Sequence, residues 1–306
     1  MIALNETRKP AVWCPGLTGD MDLTRGLRGY WPLWEGAGER VTNVAAAVGD
    51  GAFADQYQGY PTWERSAPGH VARLCTVSDG PSYHEKVRID FGASAWLSPV
   101  EAITVILRIR PFQNRNYPCF GRWAIPQSAS TSAWLLAINN NQCRWLVHLA
   151  GTAREINVAF SDWGNWQFVA GTYDGRNMRL YLNGDLVAGP TAYSGPIDQG
   201  LASSVYVGAL VGYPGVTFNA QTAELGLWGR ALQPAQIEWL YRHPFGLCRQ
   251  AGEERPTPLT GSIAGPYRAA AGNVWLGGAE AGGQHLTGTG AGIALVDGQQ
   301  AGRIHG

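Results

Sequence analysis

This sequence predicts an all-β fold: two antiparallel sheets packed as a sandwich, one short helix near the end, and a small glycine-rich β tail. Three observations carry that expectation. Between Leu27 and about Ala231, apolar residues return at every second position in run after run, the period of a strand with one buried face. Only one segment, beginning at Pro234, switches to helical spacing. Beyond a charged, proline-containing stretch, Glu253 to Pro258, glycines recur with a period of ten at Gly278, Gly288 and Gly298, with Leu276, Leu286 and Val296 two residues before each. A repeat this small cannot bury a core alone, so it must stack on itself or on other copies.

The elements follow in order. Residues 1–26 read as an irregular arm, punctuated by Pro10, Pro15, Gly16 and Gly19. In the run from Ile103, Val105, Leu107 and Ile109 alternate with Thr104, Ile106, Arg108 and Arg110, giving one apolar face. Cys143, Trp145, Val147 and Leu149 do the same against Arg144, Leu146 and His148. Phe168 to Tyr173 is a further strand, ended by Asp174-Gly175. Met178, Leu180 and Leu182 mark the next, and Asn183-Gly184 makes a tight hairpin because both residues tolerate positive φ. Asp185 to Ala188 returns, and Val205 to Leu210 and Thr222 to Trp228 complete the set. Pro234 suits a first helical turn, Ile237, Leu240 and Tyr241 share one face, and Pro244 and Gly246 stop the helix. Domains are therefore placed at 27–248 for the sandwich, 249–262 for a linker and 263–306 for the repeat tail.

Composition narrows the function classes. With 306 residues, 45% hydrophobic and 15% charged, the chain can bury a large core. Its 23 basic and 23 acidic side chains cancel, so no general basic field exists to attract nucleic acid or an anionic membrane. No apolar run approaches membrane-spanning length. The opening residues lack the apolar stretch of a secretory signal, which predicts synthesis in a cytoplasm. Cys14, Cys75, Cys119, Cys143 and Cys248 are scattered without zinc-type spacing and read as small hydrophobes.

Four stretches carry a resemblance. Leu27-Arg28-Gly29-Tyr30-Trp31-Pro32-Leu33-Trp34-Glu35-Gly36 is similar to the opening strand of laminin-G-like domains of the concanavalin A-like lectin/glucanase superfamily. Trp166 to Gly175 resembles that family's central strand, and Met178 to Gly184 its following hairpin. Ala223 to Leu232 with Pro234 to Tyr241 resembles its last strand and closing helix. The resemblance covers residues 27–245 and implies a jelly-roll sandwich. The close at Leu240-Tyr241-Arg242-His243-Pro244-Phe245, followed by glycine-alanine repeats, resembles laminin-G-like proteins encoded by tailed bacteriophages.

Catalytic chemistry is not legible. Glucanases of this superfamily carry Glu-x-Asp-x-x-Glu on one strand face, and that spacing occurs nowhere here. Glu35 and Glu39 flank turn glycines, Glu224 stands alone in its strand, and His84 and His148 have no partners visible from spacing. The chain is read as no enzyme. No cofactor is certain. Family members that hold calcium on edge loops leave that ion open, with Asp50 and Asp55 as candidate ligands beside a glycine-containing loop and turn-forming aspartate as the alternative. Thirteen tryptophans are many for this length. Trp145, Trp166 and Trp228 sit in patterned strands and read as core. Trp123, Trp134 and Trp163 lie near polar loops, and with Arg122 and Asn140 they are candidates to line a glycan groove, core or interface packing being the alternative.

The expected function is that of a bacteriophage-type virion structural protein, a capsid decoration, head-fibre or tail-associated protein displaying a lectin-like domain. The alternative is a glycan-binding module without a virion role, calcium-dependent in one version. Expected partners are the chain's own copies as a homotrimer through the tail, other virion proteins, and polysaccharide. Nucleic acid and membrane are excluded. The virion surface is the expected location.

Overall fold

The computed structural model describes residues 17, 21–54, 62–66, 69–75, 88–112, 119–208, 219–248, 274–276 and 284–286. Its first strands are β1 (Leu27–Trp31), β2 (Arg40–Val41), β3 (Gly51–Ala54), β4 (Thr62–Ser66), β5 (Gly69–Cys75), β6 (Arg88–Asp90), β7 (Ile103–Pro111) and β8 (Cys119–Arg122). The next are β9 (Trp134–Asn139), β10 (Gln142–Leu149), β11 (Thr152–Ala159), β12 (Gln167–Tyr173), β13 (Asn177–Leu182), β14 (Asp185–Ala192), β15 (Tyr206–Gly208) and β16 (Asn219–Trp228). Two helices accompany them, α1 (Met21–Thr24) and α2 (Pro234–Arg242).

The strands make two antiparallel sheets. The first runs β14-β13-β12-β7-β16-β5-β4, with β1 also paired to β16, and the second runs β11-β10-β9-β8-β15-β6-β3-β2. Strand β16 holds the first sheet together: β7 follows one of its edges, while β5 takes the first half of the other and β1 the second half. Between the sheets lie Ile103, Val105, Leu107 and Ile109 of β7, facing Trp134, Leu136 and Ile138 of β9 and Cys143, Trp145 and Val147 of β10. Trp145 is fully buried, and its Nε1 donates to the Thr172 carbonyl of the opposite sheet at 3.1 Å. A Cβ on residue 171 would meet that indole at 2.3 Å, so Gly171 lets the ring lie on the backbone of β12.

The two-sheet sandwich agrees with the sequence expectation, and so do β7, β10, β12, β13 and the Asn183-Gly184 hairpin, where φ is 52° and 89°. Two strands run longer than the alternation suggests: β14 extends to Ala192 and β16 begins at Asn219. The helix begins at Pro234 as expected. Gln233 caps it, with the Gln236 side chain reaching back to the Gln233 N–H at 3.0 Å.

The second face of β7 departs from the sequence reading. Thr104, Ile106 and Arg108 are buried, because α2 and the residues around Leu23 cover the outside of the first sheet. Ile106, Phe168, Ala170, Tyr181 and Trp228 pack there against Ile237 and Leu240. Described parts of the expected arm join this layer. Leu23 is buried, its carbonyl accepts from Trp228 Nε1 at 2.8 Å, and Leu17 bridges to Cys248. Those residues belong to their own sandwich, since Leu23 fills space beside Trp228.

The chain divides into two units, Met1–Gly252 and Glu253–Gly306. In the second unit, β17 (Val274–Leu276) pairs antiparallel with β18 (Gln284–Leu286), Val274 opposite Leu286 and Leu276 opposite Gln284. The strands start ten residues apart, matching the glycine period. Of the residues assigned to assembly, Leu276 and Leu286 end these strands. Gly278, Gly288, Val296 and Gly298 lie outside the described residues. Among the described residues no helix is long and apolar enough to cross a membrane.

Candidate functional site

One end of the sandwich carries a pocket of about 380 Å³ lined by Arg28, Ala95, Val100, Glu101, Gln199 and Gly229, with Ser98 and Pro99 in its wall. It is built by a bulge. In the β1–β16 ladder Leu27 opposes Trp228 and Gly29 opposes Leu227, leaving Arg28 as the extra residue. A bulge turns its side chain away from the pleat. The Arg28 guanidinium crosses the backbone at Gly229, where a Cβ would fall 2.5 Å from Nε and 2.9 Å from Nη2. Gly229 is therefore a glycine for space. Burial lowers the Arg28 pKa from its ordinary value, and the group stays charged.

Trp96 stands beside Arg28 on a single 3-10 turn, Ala95–Leu97, and its backbone N–H donates to the capping Ser94 Oγ at 3.2 Å. Arg28 Nη1 donates to the Trp96 carbonyl at 3.0 Å, and Trp96 Nε1 donates to the Arg28 carbonyl at 2.8 Å. The guanidinium carbon sits 5.3 Å from the indole centroid, a cation–π contact. Trp96 nevertheless remains 44% exposed, and Val100, Leu201 and Val48 are also exposed large apolar residues from the same or adjoining segments. Asn43 joins these segments: its Nδ2 donates to the Arg28 and Val48 carbonyls at 3.1 and 2.6 Å. An exposed aromatic plane held against an arginine that lines a polar concavity is the chemistry of a binding site.

The residues expected to touch glycan take other places. Trp134 is fully buried between the sheets, and Arg122 and Trp123 are buried too, so none presents a surface to a ligand. Trp123 packs on Leu135, Ala137 and Leu146 at the outside of the second sheet, with His148 6.0 Å away. Trp163 is half-buried against Phe160. Asn140 is exposed, but it and Asn141 have φ of 49° and 57° and form the β9–β10 hairpin turn. Alternation hid this, because β9 is apolar on both faces. Arg122 and Trp134 do serve the pocket from beneath. Arg122 donates to the Ser94 and Gln199 carbonyls at 2.8 and 3.2 Å, and Trp134 Nε1 donates to the Leu97 carbonyl at 3.3 Å. Burial pulls the Arg122 pKa down to about 10. Ser98 Oγ also donates to the Gln199 carbonyl, at 2.8 Å. These bonds fix the two loops that frame the pocket.

The remaining candidates resolve as follows. Asp50 commits one carboxylate oxygen to Arg40 and the other to the Asn43 N–H, at 2.8 Å. Asp55 lies outside the described residues. No group of three or more metal-ligating side chains gathers among the described residues. Glu35 accepts from the Thr42 N–H at 2.7 Å, and Glu224 is buried against Arg108. His148 gains a partner invisible in the sequence: its Nδ1 lies 2.6 Å from Asp198 Oδ2. Burial pushes the Cys143 thiol up to about 12, which makes it unreactive. Trp96 was not singled out from sequence. Its one signal is a lone tryptophan between Ala95 and a Ser98-Pro99 turn, outside any alternating run.

Comparison with known proteins places this architecture. Residues 87–238 match the family model described as the concanavalin A-like lectin/glucanases superfamily. Among curated proteins none matches. Similar solved structures include the binding domain of paraclostridial mosquitocidal protein 1, at 13% identity and a TM-score of 0.54, covering 72% of this chain and 52% of that one. The binding domain of botulinum neurotoxin DC, solved with rat synaptotagmin II, shows 13% identity, a TM-score of 0.51 and coverage of 72% and 52%. The chain thus spans about half the length of these two toxin domains. Domain 4 of AbnA, a GH43 extracellular arabinanase from Geobacillus stearothermophilus solved with arabinotriose, shows 15% identity, a TM-score of 0.51 and coverage of 70% and 98%. The match spans β6 to α2 of the two antiparallel sheets, so residues 87–238 are the part of the sandwich that is similar to the concanavalin A-like lectin/glucanases superfamily.

Proposed function

We propose that the sandwich is a non-catalytic carbohydrate-binding domain that holds sugar in the pocket beside Trp96. The observation that carries this reading is the exposed indole fixed against Arg28, a residue that itself lines the pocket together with Glu101 and Gln199. An indole stacks on the apolar face of a sugar ring, while the charged and amide groups take its hydroxyls. The arabinanase domain solved with arabinotriose supports the reading as a sandwich of the same fold seen with a sugar. The absence of a paired-carboxylate spacing in the sequence supports a role without hydrolysis. Polysaccharide affinity electrophoresis tests it. Trp96→Ala should weaken binding roughly tenfold while leaving the melting temperature nearly unchanged. Chelating calcium should leave binding unaltered, because Asp50 is committed to Arg40 and Asn43. Unchanged binding by Trp96→Ala, or sugar release by the pure protein, would overturn the proposal.

A second reading concerns where the domain is displayed. The strands β17 and β18 start ten residues apart, in step with the glycine period. A two-stranded ribbon of this length is marginal alone, so pairing between chains would complete it. This supports a homotrimeric virion structural protein, made in the host cytoplasm and placed on the virion surface with other virion proteins, as the bacteriophage resemblance implies. Twofold assembly is the alternative symmetry. Analytical ultracentrifugation should show the full chain as an oligomer and a 1–258 truncation as a monomer. Identical monomers at high concentration would remove the tail from assembly.

A further inference from the structure

We infer that the sugar held beside Trp96 is a neutral glycan, recognised through its hydroxyl groups, and that the pocket discriminates against uronic and sulfated glycans. The inference rests on the carbohydrate-binding reading and adds the ligand class. Two charges of opposite sign stand on the pocket wall, Arg28 and Glu101. Arg28 makes one side-chain hydrogen bond among the described residues, from Nη1 to the Trp96 carbonyl at 3.0 Å. Its remaining N–H groups lie over Gly229, where only the missing side chain leaves room. The exposed Glu101 carboxylate has no partner among the described residues, and neither does the exposed Gln199 side-chain amide. The pocket therefore offers a donor-only group, an acceptor-only group and an amide that does both.

A sugar hydroxyl donates one hydrogen bond and accepts others. Neighbouring hydroxyls of a neutral ring satisfy all three side chains at once. A carboxylate or sulfate satisfies Arg28 but brings like charge to Glu101, which has no compensating partner of its own. A second cation would be needed to favour an anion, and Arg28 is the one cation among the residues that line the pocket. Arg122 is buried beneath the pocket and directs both terminal nitrogens to the Ser94 and Gln199 carbonyls. Trp96 adds the ring face that neutral sugars stack on, with Arg28 covering part of the indole and 44% of the residue remaining open.

Affinity electrophoresis of the full chain against arabinan, galactan and mannan, beside polygalacturonate, alginate and a sulfated galactan, tests the inference at fixed salt. The expected result is retardation by at least one neutral polymer and weaker retardation by every acidic one. Glu101→Gln should weaken the neutral interaction roughly fivefold, the loss of a charge-assisted acceptor, and should raise affinity for the acidic polymers. Arg28→Gln should weaken the neutral interaction as well, read beside its melting curve because Arg28 also steadies Trp96. Tighter binding of an acidic than of any neutral polymer overturns the neutral-glycan inference and leaves the carbohydrate reading standing. Unchanged neutral binding by Glu101→Gln overturns the inference too. No binding to any of the six removes the carbohydrate reading, and the inference with it.

Discussion

Glu224→Ala is expected to lower the unfolding free energy by about 3–5 kcal/mol, the cost of stranding one member of a buried ion pair. Glu224 and Arg108 are 1% and 2% exposed, and Arg108 Nε donates to Glu224 Oε2 at 2.8 Å. Tyr30 donates to Glu224 Oε1 at 2.5 Å, and Arg108 Nη2 donates to the Leu240 carbonyl at 2.9 Å. One carboxylate thus joins β1 to β16, and its arginine ties the last turn of α2 to β7. Burial, then the neighbouring Glu224 charge, raises the Tyr30 pKa well above that of a free phenol, so the hydroxyl remains a donor. Removing the carboxylate leaves the Arg108 charge without a counter-ion, and its Nε and the Tyr30 hydroxyl without acceptors, in an apolar layer. Replacing both charged residues with Leu and Met should cost much less than Glu224→Ala, because no charge is then stranded. Urea titration of the three proteins decides it. A loss below about 1 kcal/mol for Glu224→Ala would show that water or relaxation satisfies Arg108.

Trp228→Ala should cost about 3–5 kcal/mol, the range for emptying a fully buried tryptophan site. Trp228 lies outside the first sheet, under the layer made by Leu23, Leu232 and α2. Its ring rests over Gly226, where a Cβ would approach within 2.6 Å, and its Nε1 holds the Leu23 carbonyl at 2.8 Å. The substitution therefore opens a cavity and releases the segment around α1. Equilibrium unfolding with a constant denaturant slope gives the number, and a loss below about 1 kcal/mol would mean that the layer collapses to fill the space.

Much of the strand pattern was legible because half-buried strands write their period into the sequence. In β7, β10 and β13 every second residue faces the space between the sheets, and the same residues alternate in composition. Strand β9, Trp134–Asn139, escaped that reading, since all six residues are buried and no polar face marks the period. Strand β11 escaped it for the opposite reason, being an exposed edge with one buried position, Ile156.

The candidate site was far less legible. Arg122, Trp123 and Trp134 have the residue types of a sugar site, yet whether a tryptophan is buried depends on which loop folds over it. Arg28 sits inside the stretch that signals the opening strand, and nothing local shows that it is the bulged residue. That follows from the partner register across β16, nearly two hundred positions away in the chain.

By itself, the sequence determined the sandwich class, the Asn183-Gly184 hairpin, the start of α2 and the ten-residue spacing, because each depends on near-neighbour geometry: period two, positive φ, a proline without an N–H, a repeated glycine. Tertiary structure alone decided what covers the outer face of the first sheet, that Arg108 meets Glu224, and that Arg28, Glu101 and Gln199 line one pocket with Trp96 held against Arg28. These arrangements come from strand register, a bulge and loop closure between residues far apart in the chain, and such pairings are set by the packing of the whole domain.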